Sequence, residues 1–171
     1  MKTIIIVLIG LNLGWIVFQD FSERKVSLYA LILLLALCTV HYCCASQIKE
    51  LLLRILVNSL FAGIILVSGT LLVKLRRPKD SVSSFIGTGD FLFLCAISPM
   101  FSFDAYLVFL NTSIILVLLS FGLISIISKS RQKISIPLAG ALSICLFITL
   151  LINELLSSNL LDDINWIYRI L

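Results

Sequence analysis

Five apolar runs, each near the roughly 20 residues needed to cross a hydrocarbon core about 30 Å thick, constrain this chain more than any other feature. They cover about 3–18, 28–44, 51–73, 105–128 and 134–156. A sixth, about 85–101, contains Asp90 and is counted as a span. The expected fold is therefore all-α: a polytopic membrane protein with six transmembrane helices in one bundle, forming a single membrane-embedded domain over 1–171. With 60% hydrophobic and 13% charged residues, the chain departs from soluble domains, which are about half apolar and a quarter charged. So much Leu, Ile and Phe also excludes a disordered chain. Lys2 ahead of the first run has the look of a signal peptide, but Gln19, Asp20 and Phe21 offer no small-residue cleavage site. The first run is therefore expected to stay as a helix.

Basic residues in short loops are kept on the cytoplasmic side, and here they fall unevenly. One side would hold the turns after helices 1, 3 and 5, with Arg24, Lys25, Lys74, Arg76, Arg77, Lys79, Lys129, Arg131 and Lys133. The other would hold only Lys2, Lys49, Arg54 and Arg169. This pattern puts both termini outside the cytoplasm. The net charge of +4 then reads as a topology signal, reinforced by anionic lipid, with no nucleic-acid partner implied.

Between helices 3 and 4, Pro78 removes a backbone donor and disfavours helix at Arg77, so a turn is expected over 74–84. In the last twelve residues, Leu160, Leu161, Ile164, Ile167 and Leu171 recur at helical spacing beside Trp166 and Tyr168. That predicts a short interfacial helix over 160–171. Cys38, Cys43, Cys44, Cys95 and Cys145 form no CxxC pair and read as small core residues. His41 has no metal-type neighbours in the sequence and reads as an interfacial polar residue. No metal or other cofactor is implied.

Carboxylates at membrane depth are costly and usually functional. Of the nine acids, Glu23, Glu50, Asp80, Asp104, Asp162 and Asp163 fall in turns or the tail, and Glu154 falls near the outer head groups. Asp20 and Asp90 remain. Asp20 directly follows helix 1, Asp90 sits just inside helix 4 in Gly87-Thr88-Gly89-Asp90, and the expected topology puts both at the cytoplasmic boundary. Two close carboxylates cannot both ionise, so one holds a proton while the other takes a proton from an attacking water. Gly87 and Gly89, lacking a β-carbon, would allow strained dihedrals and a close backbone approach at the head of helix 4. Arg24, four residues after Asp20, could pair with it or anchor helix 2 at the interface.

These residues resemble the type IV prepilin peptidases and archaeal preflagellin peptidases, membrane aspartic proteases of the GxGD class. Three segments carry the resemblance. Asp20-Phe21-Ser22-Glu23-Arg24-Lys25-Val26 is similar to the family's Asp-x-x-x-Arg-x-Ile/Val pattern, Gly87-Thr88-Gly89-Asp90 matches its motif, and Ile134-Ser135-Ile136-Pro137-Leu138-Ala139-Gly140 looks like the Ile-Pro stretch that opens its last helix. The resemblance implies a multi-pass protein of the inner cell membrane that removes leader peptides from type IV pilin-like precursors at the cytoplasmic face. Asp20 and Asp90 would be catalytic, Gly87, Thr88 and Gly89 would position substrate or backbone, and Arg24 would support the dyad. Where the family often has Lys two residues after the motif aspartate, this chain has Leu92. An N-terminal region with paired CxxC motifs, found in many bacterial members, is absent from these residues, so no methyltransferase activity is expected.

The precursor's hydrophobic helix could pack laterally on Ser59 and Gly63 of helix 3, although packing within the bundle is the simpler reading. Asn58, Asn111 and Asn153 are expected to bridge helices, and Arg54 to snorkel to the head groups. Two further classes fit the same residues. A non-enzymatic transporter or assembly subunit would use Asp90 as an ion or proton site, but the chain lacks the paired broken helices typical of transporters. A presenilin-like intramembrane protease would need its second acid inside a preceding hydrophobic helix, whereas Asp20 lies far upstream.

Overall fold

The computed structural model describes residues 2–43, 48–76, 88–128 and 137–155, together with residue 161. Six helices follow one another: α1 (Lys2–Glu23), α2 (Leu28–Cys43), α3 (Ile48–Arg76), α4 (Thr88–Ile97), α5 (Phe103–Ser128) and α6 (Leu138–Leu155). A 3-10 turn, Ser98–Met100, ends α4. Among the described residues there is no strand. Helices α1, α3, α5 and α6 are long and apolar enough to cross a membrane, while α2 and the segment Thr88–Met100 are shorter apolar helices.

The outer surface is hydrophobic. On α3, Leu52, Leu56, Leu60, Ile64, Val67 and Leu71 are all exposed, and α5 exposes Ile115, Leu116, Leu118, Leu119 and Leu123. Soluble monomers rarely expose apolar patches beyond a few hundred Å². Continuous faces of this kind belong in lipid, and the protein is membrane-embedded.

Local chemistry fixes the helix ends. Ser27 Oγ accepts the Ala30 N–H at 3.4 Å, and Ser102 Oγ accepts that of Ala105 at 3.4 Å, each a side-chain cap on an amide that the helix itself leaves unpaired. Arg24 closes α1 in the left-handed region, with φ 53°, and its N–H donates to the Asp20 carbonyl at 3.1 Å. Gln19 Oε1 then accepts the Ser27 N–H at 3.0 Å, tying the short α1–α2 turn together. At the start of α6, Pro137 carries a preset φ suited to a helix entry.

Buried faces place the helices. Ile5, Ile9, Leu13, Ile16 and Asp20 form one stripe along α1, all buried, at the spacing of a single helix face. α1 and α6 run antiparallel, with Gly10 under the Phe147 ring and Asp20 at the N-terminus of α6. α2 is joined to α1 by the buried bond from Asn12 Nδ2 to the Ala30 carbonyl, 3.0 Å. α4 runs antiparallel to α3, since Asn58 meets Ser98 while Gly63 lies near Phe91. The core joins Phe93 and Ile97 of α4, Tyr106 of α5 and Leu142 and Leu146 of α6.

The structure moves several expected boundaries. α1 runs past Phe18 to Glu23, so Asp20 lies in its last turn, not after it. The expected span 85–101 is α-helical only over Thr88–Ile97, because Pro99 has no N–H to continue the ladder; residues 85–87 lie outside the described residues. With its 3-10 turn, α4 extends about 21 Å, short of the roughly 30 Å hydrocarbon core. α6 begins at Leu138, after Pro137; residues 134–136 of the expected run lie outside the described residues.

The turn from α4 into α5 is buried over residues 97–101. Asn58 Nδ2 donates to the carbonyls of Ser98 and Phe101, both at 3.0 Å, and the Tyr106 hydroxyl donates to the Leu94 carbonyl at 3.1 Å. The Ser102 N–H donates to the carbonyl of Leu161 at 2.9 Å, and Leu161 is itself buried, in a turn. The rest of the expected interfacial helix over 160–171 lies outside the described residues.

Candidate active site

Three helix ends meet at one end of the bundle: the last turn of α1 and the first turns of α4 and α6. A helix leaves its first four N–H groups without intrahelical acceptors. In α6 the first intrahelical bond is that from the Ala141 N–H to the Pro137 carbonyl, 3.1 Å, so the amides of Ala139 and Gly140 must find partners elsewhere. Asp90 Oδ1 accepts the Ala139 N–H at 3.0 Å. Asp20 Oδ2 accepts the Gly140 N–H in a short bond.

Both expected aspartates therefore converge, through neighbouring amides of a third helix. Peptide geometry keeps the two bonded oxygens within roughly 10 Å of each other. They also face the positive end of the α6 macrodipole, which favours negative charge there. Asp20 is 7% exposed and Asp90 half-buried, so the pair sits at the edge of the protein interior.

The neighbouring candidates fall into place unequally. Thr88 opens α4 and is exposed; Gly87 lies outside the described residues. Gly89 is within the helix, and no described glycine has a positive φ. A β-carbon on Gly89 would meet only Val26, at 3.9 Å, an ordinary contact, so the expected strained approach is not made there. It is made at Gly140, where a β-carbon would lie 3.0 Å from the Phe21 ring and 3.1 Å from Asp20 Oδ2. Arg24 touches Asp20 through main-chain atoms, and its side chain is exposed.

Sequence reasoning named neither Ala139 nor Gly140 as a site residue. A signal was present: Pro137 marks a helix entry, which puts the next residues in a first turn whose donors need acceptors. Among the described residues no group of three His, Cys, Asp or Glu could hold a metal ion. Ser59 and Gly63 face α4, through Ser98 Oγ at 3.5 Å and near Phe91 at 3.8 Å, so they pack within the bundle. Asn58 bridges helices as expected, but Asn111 instead donates back to Leu107 of its own helix at 2.8 Å. Arg54 stacks 4.5 Å above the Tyr42 ring.

Set against known protein families, curated proteins and solved structures, the chain matches none.

Proposed function

We propose that this protein is an aspartic endopeptidase of the type IV prepilin peptidase kind, acting on pilin-like precursors. One observation supports this above the rest: Asp20 and Asp90, from two separate motif segments, bond adjacent amides at the head of α6. In the proposed reaction one carboxyl carries a proton and the other takes one from water, whose oxygen attacks the scissile carbonyl. The tetrahedral intermediate collapses as a proton passes to the departing amine, and the dyad returns to its starting state. No metal or other cofactor enters these steps.

The reading includes a topology. α2 and α4 cross with the four longer helices, giving six spans, with the bilayer thinned over the short α4, the dyad at the cytoplasmic face of the inner membrane and both termini outside. Exposed Arg24 and Lys25 at the dyad end agree with that sidedness. The substrate would present a leader to the cytoplasm and a hydrophobic helix to the lipid.

Cleavage of a co-expressed pilin-like precursor in membranes tests the proposal. Asp20→Asn and Asp90→Asn should each abolish cleavage at normal protein abundance. Survival of cleavage in either variant would remove the dyad and favour a transporter or assembly subunit.

A further inference from the structure

Gly140 is the point where the backbone of α6 comes closest to a carboxylate. Its N–H binds Asp20 Oδ2, and the space a side chain would need is already occupied. Of the three nearest atoms to a β-carbon there, two belong to the Phe21 ring at 3.0 Å and the third is Asp20 Oδ2 at 3.1 Å. Contacts this short force the neighbours to move by a few tenths of an ångström. Phe21 is about half-exposed and its ring can swing outward. Asp20 is buried on the inner stripe of α1 and has far less freedom.

The second arm is held differently. Ala139 already carries a β-carbon, and its N–H still reaches Asp90 Oδ1 at 3.0 Å. Only the Asp20 arm therefore depends on a missing side chain. Resting on the peptidase reading above, we propose that Gly140 is a positioning residue of the dyad, setting where the Asp20 carboxylate stands relative to Asp90. Its requirement is for the absence of a side chain and the presence of an N–H donor. Glycine at this place is not needed for backbone conformation, because its φ is ordinary.

Two kinds of change at Gly140 can be separated, because the ring and the carboxylate respond to different substitutions. Gly140→Ala should lower kcat about 10- to 100-fold, the order expected when a catalytic group is misplaced by a fraction of an ångström to an ångström. KM should stay within about twofold, since the interaction lost is one made at the reacting centre. One limb of the pH–rate profile should move as the Asp20–amide bond lengthens. The double variant Gly140→Ala/Phe21→Ala removes the ring, so protein abundance should match that of Phe21→Ala alone while kcat stays low. A double variant whose kcat and pH profile return to those of Phe21→Ala would show that Gly140 serves packing only and overturn the inference.

A measurement independent of turnover completes the test. The chain has 8 glycines, so 15N-glycine labelling of the detergent-solubilised protein gives a sparse amide spectrum, with Gly140 assigned by its loss in Gly140→Ala. The Gly140 resonance should shift in Asp20→Asn, and an unmoved resonance overturns the inference. If cleavage persists in Asp20→Asn, the peptidase reading itself fails. If cleavage needs both aspartates but Gly140→Ala cleaves as wild type, only the role given to Gly140 fails.

Discussion

The two ends of α4 meet the same physical demand with different chemistry. At each end, backbone groups buried in the bundle must find partners within the protein. At the C-terminal end, neutral Asn58 supplies both bonds, to the Ser98 and Phe101 carbonyls, and is fully buried. At the N-terminal end, carboxylates supply the bonds, and Asp90 shares the head of α6 with Asp20. Asparagine, serine or threonine would cap that helix about as well as aspartate. An acid is thus more than folding asks for at one end, while at the other a neutral amide is all that folding needs.

The comparison breaks most sharply under substitution of the acids. Asp20→Asn and Asp90→Asn keep a side-chain oxygen for the α6 amides, so thermal unfolding midpoints should stay close to wild type while cleavage falls about 1,000-fold or more. If both functions fall together, the acids are structural and the contrast is lost. Next in size is Asn58→Leu, which leaves two buried carbonyls without this donor. It should cost about 2–4 kcal/mol in chemical or thermal unfolding, with cleavage per folded molecule unchanged.

Smaller effects sharpen the contrast. Asp20→Ala, compared with Asp20→Asn, should lose about 1 kcal/mol further, the usual worth of an N-cap, read as a lower unfolding midpoint. Tyr106→Phe, which deletes the buried bond to the Leu94 carbonyl, should cost about 1 kcal/mol in the same assay. Asn111→Leu should change almost nothing, because its exposed bond lies within one helix and surface changes are usually within about 0.5 kcal/mol.

Much of the helical architecture was legible because lipid demands long apolar runs, and each of the six runs overlaps one of the described helices. Ends were less legible. The polar pair Gln19-Asp20 reads as a stop, yet α1 continues because Gln19 bonds the next turn and Asp20 finds an amide in α6. The alternative clue was spatial periodicity: Asp20 continues the buried stripe of Ile9, Leu13 and Ile16. The α-helix of α4 was overestimated at its C-terminal end because the apolar run continues across Pro99, whose missing N–H ends the helix.

The candidate site was half legible. Asp20 and Asp90 stand out because acids are rare beside apolar runs. That they meet is a tertiary fact, decided by the antiparallel packing of α1 on α6 and the position of α4 beside them. Of the two motif glycines, Gly89 makes no close approach and Gly87 lies outside the described residues, whereas Gly140, which does make one, looks in sequence like an ordinary small residue in a helix. Its importance follows only from what lies 3.0 Å away.

The bond from the Ser102 N–H to the Leu161 carbonyl has a consequence for how the protein is made. Chains are synthesised from the N-terminus, and earlier segments fold while later ones are still being added. Asn58 is available to the α4–α5 turn as soon as α4 arrives, but Leu161 is not. During synthesis the Ser102 N–H therefore waits for this acceptor until the chain beyond α6 has been made. This bond, at the end away from the two aspartates, comes after the head of α6 has been made, and a ribosome stalled before Leu161 would leave it unmade.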